Sequence, residues 1–112
     1  MSADTVPMFS LEGKNALVTG ASGGVGRATC ALLAEEKASL VIASNDAEGL
    51  AAQEKELVAR GVQVLAKVLD VTDEPHVAAL FEEAGERFGT LDALLNLAGW
   101  QWLRRLVDGT SR

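Results

Sequence analysis

The chain has no tyrosine, one cysteine and one histidine among its 112 residues, and each scarcity removes a class of chemistry. Without tyrosine there is no phenolic hydroxyl to pass a proton. The lone Cys30 excludes an internal disulfide and a cysteine-based metal cluster. Its place inside an apolar helical stretch reads as small core packing. His76 follows Pro75 early in another helical stretch, where an exposed or helix-terminal role is expected rather than catalysis. No carboxylate pair and no His/Cys/Asp cluster stands out beyond charged helix faces, so no catalytic residue and no metal ligand is assigned. Positive charge is also short. The net charge of −6 argues against nucleic acid or an anionic membrane as a partner. No apolar run approaches the roughly 18 residues needed to span a bilayer. The opening MSADTVPMFS has neither a basic n-region nor an apolar h-region. With the single cysteine, this gives the expectation of a soluble, cytoplasmic chain.

What is present is a globular composition, 48% hydrophobic and 23% charged, enough for one domain with a real core but not two. After a polar arm (1–13), NALVT (15–19) is a compact apolar run and is predicted to be a buried strand. Val25, Ala28, Thr29, Leu32 and Leu33 follow at helical spacing. SLVIA (39–43) is predicted as the second strand. Leu50, Ala51, Leu57 and Val58 mark a helix face ending at Gly61. VQVLAKVL (62–69) is the third strand, and Thr72 is expected to cap the next helix ahead of Asp73 and Glu74. Val77, Leu80, Phe81, Ala84 and Phe88 give that helix its apolar stripe, Gly89 stops it, and DALLN (92–96) is the fourth strand. Near-continuous apolar strands alternating with helices predict an α/β fold, a doubly wound parallel sheet of the Rossmann-like kind, truncated after the fourth strand. In EEKAS (35–39), Lys37 stands where a tight turn favours glycine; a positive φ there costs about 1 kcal/mol.

Glycine clusters once. VTGASGGVGRA (18–28) carries Gly20, Gly23, Gly24 and Gly26 between a strand and a helix. The first N–H groups of a helix have no internal partner and sit at the positive end of its dipole, so a pyrophosphate can accept hydrogen bonds there. Gly20 allows the turn out of the strand, Gly24 leaves room for the ligand, and Gly26 lets the helix pack closely. The competing reading is a tight turn that binds nothing.

TGASGGVG (19–26) resembles the TGxxxGxG loop of the short-chain dehydrogenase/reductase family. LDV (69–71) is similar to the segment after that family's third strand, and LLNLAG (94–99) to its LVNNAG segment, with Leu97 in place of the second Asn. The resemblance runs from about Leu11 to Gly99. It implies a nicotinamide dinucleotide as cofactor and partner, with Gly20, Ser22, Gly23, Gly24, Val25 and Gly26 at the phosphates. Asp70 and Val71 then lie at the adenine, and Asn96, Ala98 and Gly99 on the ribose side. For Asp70 the alternative is a strand-end Asp that caps the following turn. The resemblance puts Ser44 and Asn45 at the slot that separates NAD from NADP. No acid fills that slot, which leans slightly to NADP, whereas counting about 20 residues on from the loop points to Asp46 as a ribose acceptor for NAD. Arg27 and Lys37 are the nearest cations, both expected in solvent.

The family's chemistry uses a YxxxK tyrosine with an upstream serine, in the half of the fold after the LVNNAG segment. This chain has no tyrosine and ends 13 residues after Gly99. The expectation is an NAD(P)-dependent oxidoreductase of which these residues carry only the cofactor-binding half (14–99), inactive alone. The alternatives are a non-catalytic truncated isoform that binds dinucleotide or pairs with a full-length subunit, and a dinucleotide-sensing regulator. WQWLRRLVDGTSR (100–112) departs from the motif pattern and is set apart as a tail, with Leu103, Leu106 and Val107 on one face. An open fourth strand and an incompletely covered sheet predict self-association or marginal stability.

Overall fold

Short apolar runs and amphipathic stretches fold as alternating strands and helices over residues 10–70 and 72–97, which are the residues the computed structural model describes. The order is β1 (Asn15–Thr19), α1 (Gly24–Glu35), β2 (Ser39–Ser44), α2 (Ala47–Ala59), β3 (Val64–Val68), α3 (Glu74–Phe88) and β4 (Ala93–Asn96). The strands form one parallel sheet in the order β3-β2-β1-β4. Val18 pairs with Ile42 on one side and Leu95 on the other, so β1 is central.

Alternation along the strands divides the core in two. Ala16, Val18, Leu40, Ile42 and Val64 face Cys30 and Ala34 of α1 and Leu50 and Leu57 of α2. Leu17, Val41, Ala43 and Leu65 face Leu80 and Ala84 of α3. Fully burying each Leu, Ile or Val contributes about 1.5–3 kcal/mol. Two helices on one face and the third on the other make the fold doubly wound, as the sequence predicts. The chain order reverses between β1 and β4, which makes the carboxyl ends of those strands the switch point where such sheets form a crevice. At the opposite end, Asn15 ties β1 to the turn before β4: its Nδ2 donates to the Thr90 carbonyl at 2.8 Å and its N–H to Asp92 Oδ2 at 2.8 Å.

Several expectations need correction. Val25 (70% exposed) and Leu32 (63% exposed) do not face the sheet. The buried face of α1 is Gly26, Cys30 and Ala34, four residues apart, because small side chains let the helix axis approach the strands. On α2, Leu50 and Leu57 are buried as expected, Ala51 and Val58 are exposed, and the third buried residue is the polar Gln53. On α3, Phe81 is exposed and Val77 and Phe88 are only partly covered. Asp73, not Thr72, caps α3, its side chain accepting from His76 N–H. The Thr72 hydroxyl is instead bonded to Asp70 at 2.7 Å. The second strand runs one residue further than predicted, to Ser44, and the third is shorter, since Val62 and Gln63 precede its first residue. The fourth strand is not covered on both faces: Leu94 is 53% exposed. Lys37 does adopt a positive φ, 75°, and Gly61 has φ 91° just beyond α2.

Candidate functional site: a loop of unpartnered amides at the switch point

The chain leaves β1 at Thr19 and turns at Gly20, whose φ of 68° is open to glycine without strain. Ala21 is fully buried and anchored at both ends: its N–H donates to the Ala43 carbonyl at 3.1 Å, and its carbonyl accepts from Gln53 Nε2 at 2.8 Å. Gly23 N–H closes on the Gly20 carbonyl at 3.3 Å, and Arg27 N–H makes the first helical bond, to the Gly23 carbonyl, at 2.8 Å. The N–H groups of Ser22, Gly24, Val25 and Gly26 therefore have no acceptor among the described residues.

Three further features keep this helix end electropositive and open. Gly23 caps α1 with no side chain, and the first turn carries no acid. The other two helices are neutralised at the same place, α2 by Asp46 and Glu48 and α3 by Asp73 and Glu74. A Cβ built on Gly24 meets nothing within 4 Å, so the approach is clear. Gly26 behaves differently. A Cβ there would run into the Gly20 carbonyl oxygen and come within 2.5 Å of the Ala21 oxygen. What Gly26 packs against is thus the backbone of its own loop, rather than side chains of the sheet.

Beside the loop, Ser44 at the end of β2 is buried and its hydroxyl lies 2.6 Å from that of Ser22. The same hydroxyl accepts from Asp46 N–H at 3.0 Å, while Asp46 Oδ1 accepts from Gly49 N–H at 3.1 Å to cap α2. Ser44 is therefore occupied inside the fold, and Asn45 is the exposed residue of the pair. Arg27 is not simply in solvent: it bridges to Glu56 of α2 at 3.2 Å. Lys37 is exposed as expected.

Asp70 performs the turn-capping role, accepting from Thr72 N–H at 2.9 Å and from the Thr72 hydroxyl. Its place past β3 puts it on the same sheet edge as the glycine-rich loop. At the end of β4, Asn96 pairs in register with Thr19, whose hydroxyl donates to Asn96 Oδ1 at 2.7 Å. That bond fixes the amide orientation and leaves its NH2 without an acceptor among the described residues. Leu97 N–H bonds to the Thr19 carbonyl at 2.9 Å, and its side chain packs against the α1–α2 core, which an Asn would not do. Val71, Ala98 and Gly99 lie outside the described residues, as do Trp100, Trp102, Leu103, Leu106 and Val107.

Cys30 is fully buried on α1. Burial pushes its thiol up from 9.0 to about 11, against a smaller opposing pull from Gln53, so it is an inert packing group at neutral pH. Thr19 opens the loop motif and Gln53 lies outside it, and the sequence shows the partner of neither. Thr19 ends an apolar strand and Gln53 stands among polar helix residues, and only the tertiary hydrogen bond reveals each partner.

A doubly wound sheet with a glycine-rich loop at its switch point defines a Rossmann-type α/β protein. The family model for short chain dehydrogenase matches residues 14–111, past Gly99 and through most of the stretch that the motif resemblance leaves out. The short chain dehydrogenase/reductase dpchG of Colletotrichum higginsianum is 41% identical over 88 residues, covering 79% of this chain and 33% of that protein. Levodione reductase of Leifsonia aquatica is 38% identical over 101 residues, covering 88% and 38%. The solved structure of NAD+-bound xylitol dehydrogenase superposes with a TM-score of 0.73 at 35% identity, covering 79% of this chain and 33% of that one. The chain belongs to the short-chain dehydrogenase family, and it spans about a third of the length of these relatives. No helix among the described residues is long and apolar enough to cross a membrane.

Proposed function

We propose that this chain is the cofactor-holding part of a cytoplasmic, nicotinamide-dependent oxidoreductase that moves hydride between NAD(P)(H) and a carbonyl or alcohol. The observation that carries this reading is the set of four unpartnered N–H groups, from Ser22, Gly24, Val25 and Gly26, at the acid-free start of α1. A pyrophosphate supplies the acceptors those donors lack, and Gly24 leaves it room. Gly20, Ser22, Gly23, Gly24, Val25 and Gly26 would hold the phosphates, Asp70 and Val71 the adenine side, and Asn96, Ala98 and Gly99 the ribose on the nicotinamide side. When bound, the dinucleotide supplies the hydride; these residues bind and orient it. With no tyrosine in the chain, the 112 residues on their own are expected not to turn over carbonyl substrates.

The ribose slot beside β2 favours NADP(H) at least as much as NAD(H). Ser44 and Asn45 carry no charge that repels a 2′-phosphate, and the nearby Asp46 is engaged in capping α2. Calorimetric titration of the chain with NADPH, NADH and ADP tests the reading. NADPH is expected to bind at least as tightly as NADH, and Gly24→Asp is expected to abolish binding of all three by placing a carboxylate among the phosphate donors. Equal binding before and after that change would leave only a tight turn; a clear NADH preference would return Asp46 to the ribose. A non-catalytic role, in which the chain binds dinucleotide and pairs with a longer subunit, is favoured by one observation, the exposed Leu94 on edge strand β4.

A further inference from the structure

We infer that Gln53, in the middle of α2 and outside every motif of the cofactor loop, is a positioning residue that aims the Ser22 N–H at the bound pyrophosphate. The inference rests on the proposed dinucleotide reading of that loop.

Gln53 occupies a place where an apolar residue would be expected. It lies between Leu50 and Leu57 on the buried face of α2 and is 2% exposed. Its Oε1 has no hydrogen-bond partner, which is unfavourable for a buried polar atom. A methionine or leucine would fill the same volume without that penalty. The side chain also lies beside the Cys30 thiol, and its one bond to the backbone runs from Nε2 to the Ala21 carbonyl, 2.8 Å long and bridging 32 residues of sequence. The amide orientation is settled by chemistry, since a carbonyl oxygen can only accept and the NH2 end must face it.

The consequence follows from peptide geometry. The Ala21 carbonyl and the Ser22 N–H belong to one planar trans peptide unit, so they point in opposite directions. Pulling the carbonyl toward α2 turns the N–H away from α2, and this is one of the four donors left without an acceptor. The rest of the unit has little freedom. Ala21 N–H is bonded to β2, the Ser22 hydroxyl to Ser44, and the space beside the Ala21 oxygen is so tight that a Cβ on Gly26 would collide with it. Without the Gln53 amide, the fully buried Ala21 carbonyl loses the one hydrogen bond it accepts among the described residues and gains a reason to rotate the peptide. Orientation of a donor before the ligand arrives lowers the cost of binding.

The test uses the 112-residue chain and its Gln53→Met variant, with ADP and adenosine as probes, followed by titration in 1H–15N spectra. ADP carries the pyrophosphate and adenosine does not. Gln53→Met is expected to weaken ADP about tenfold, the loss of one well-aimed hydrogen bond, and to leave adenosine within about twofold. An equal loss for both probes would mean a general structural effect, and no loss for either would mean no role; both overturn the assignment. Wild-type protein supplies a readout that needs no variant to fold. Inorganic pyrophosphate is expected to move the Ser22 amide resonance more than any amide of residues 47–59, and a still Ser22 resonance at saturation overturns the assignment. Failure of the wild type to bind ADP at all would instead remove the dinucleotide reading itself.

Discussion

At the scale of single residues, conformation and chemistry are separable, and Lys37 isolates the first. It makes the turn from α1 into β2 with φ 75°, a region that costs an L-residue with a Cβ about 1 kcal/mol. Its side chain is exposed, so nothing in the core depends on it. Lys37→Gly is therefore expected to raise stability by about 0.5–1 kcal/mol, part of the relief being offset by the greater freedom of glycine in the unfolded chain. Urea unfolding curves measure it, and a loss of stability would mean that the lysine makes a contact worth more than the strain. That strain was legible in EEKAS, because tight turns between a helix and a strand demand glycine-like geometry. Gln53 was not legible, because a polar residue within a helix pattern looks like surface until its partner 32 residues away is known.

At the scale of elements, the strands were read more accurately than the helix faces. NALVT and SLVIA are continuous apolar runs bounded by polar residues, so their limits follow from burial alone, to within one residue at Ser44. The buried face of α1 departs from the hydrophobic spacing for a physical reason. Hydrophobic spacing weights Val25 and Leu32, while the sheet selects the small residues Gly26, Cys30 and Ala34, whose advantage is close approach rather than apolar area. The cap of α3 lies one residue beyond the expected Thr72 because Thr72 and Asp73 are both good caps, and Asp70 takes Thr72. The importance of close approach predicts that Ala34→Leu, though more hydrophobic, destabilises by about 1–3 kcal/mol through overpacking. Thermal melts would check this; an unchanged or higher midpoint would show that α1 has room to move. By contrast, Leu32→Ala on the exposed side of the same helix is expected to be close to neutral.

At the scale of the whole molecule, the described residues leave one side of the sheet incompletely covered. The α3 face carries a single helix over four strands, and Leu94 stands exposed on β4, whose outer edge is unpaired among the described residues. We expect the isolated chain to self-associate, with an elution volume that depends on concentration. Leu94→Lys is expected to shift it toward monomer, since a charge on an edge strand discourages pairing. A wild-type chain that stays monomeric at all concentrations would remove the expectation. The doubly wound class was legible because alternation and crossover handedness leave few other topologies. The incomplete cover of β4 followed from counting helices.

The position of β1 sets an order in time. Its partner β2 follows it after one helix, but the Thr19–Asn96 hydrogen bond on its other side joins residues 77 apart. During synthesis the glycine-rich loop, Ala43 and Gln53 are all available before β4 has been made. The glycine-rich loop can thus take shape on a growing chain whose central strand is still bare along one side. β4 and Asn96 arrive later, and a nascent chain paused before residue 93 would hold the loop without them.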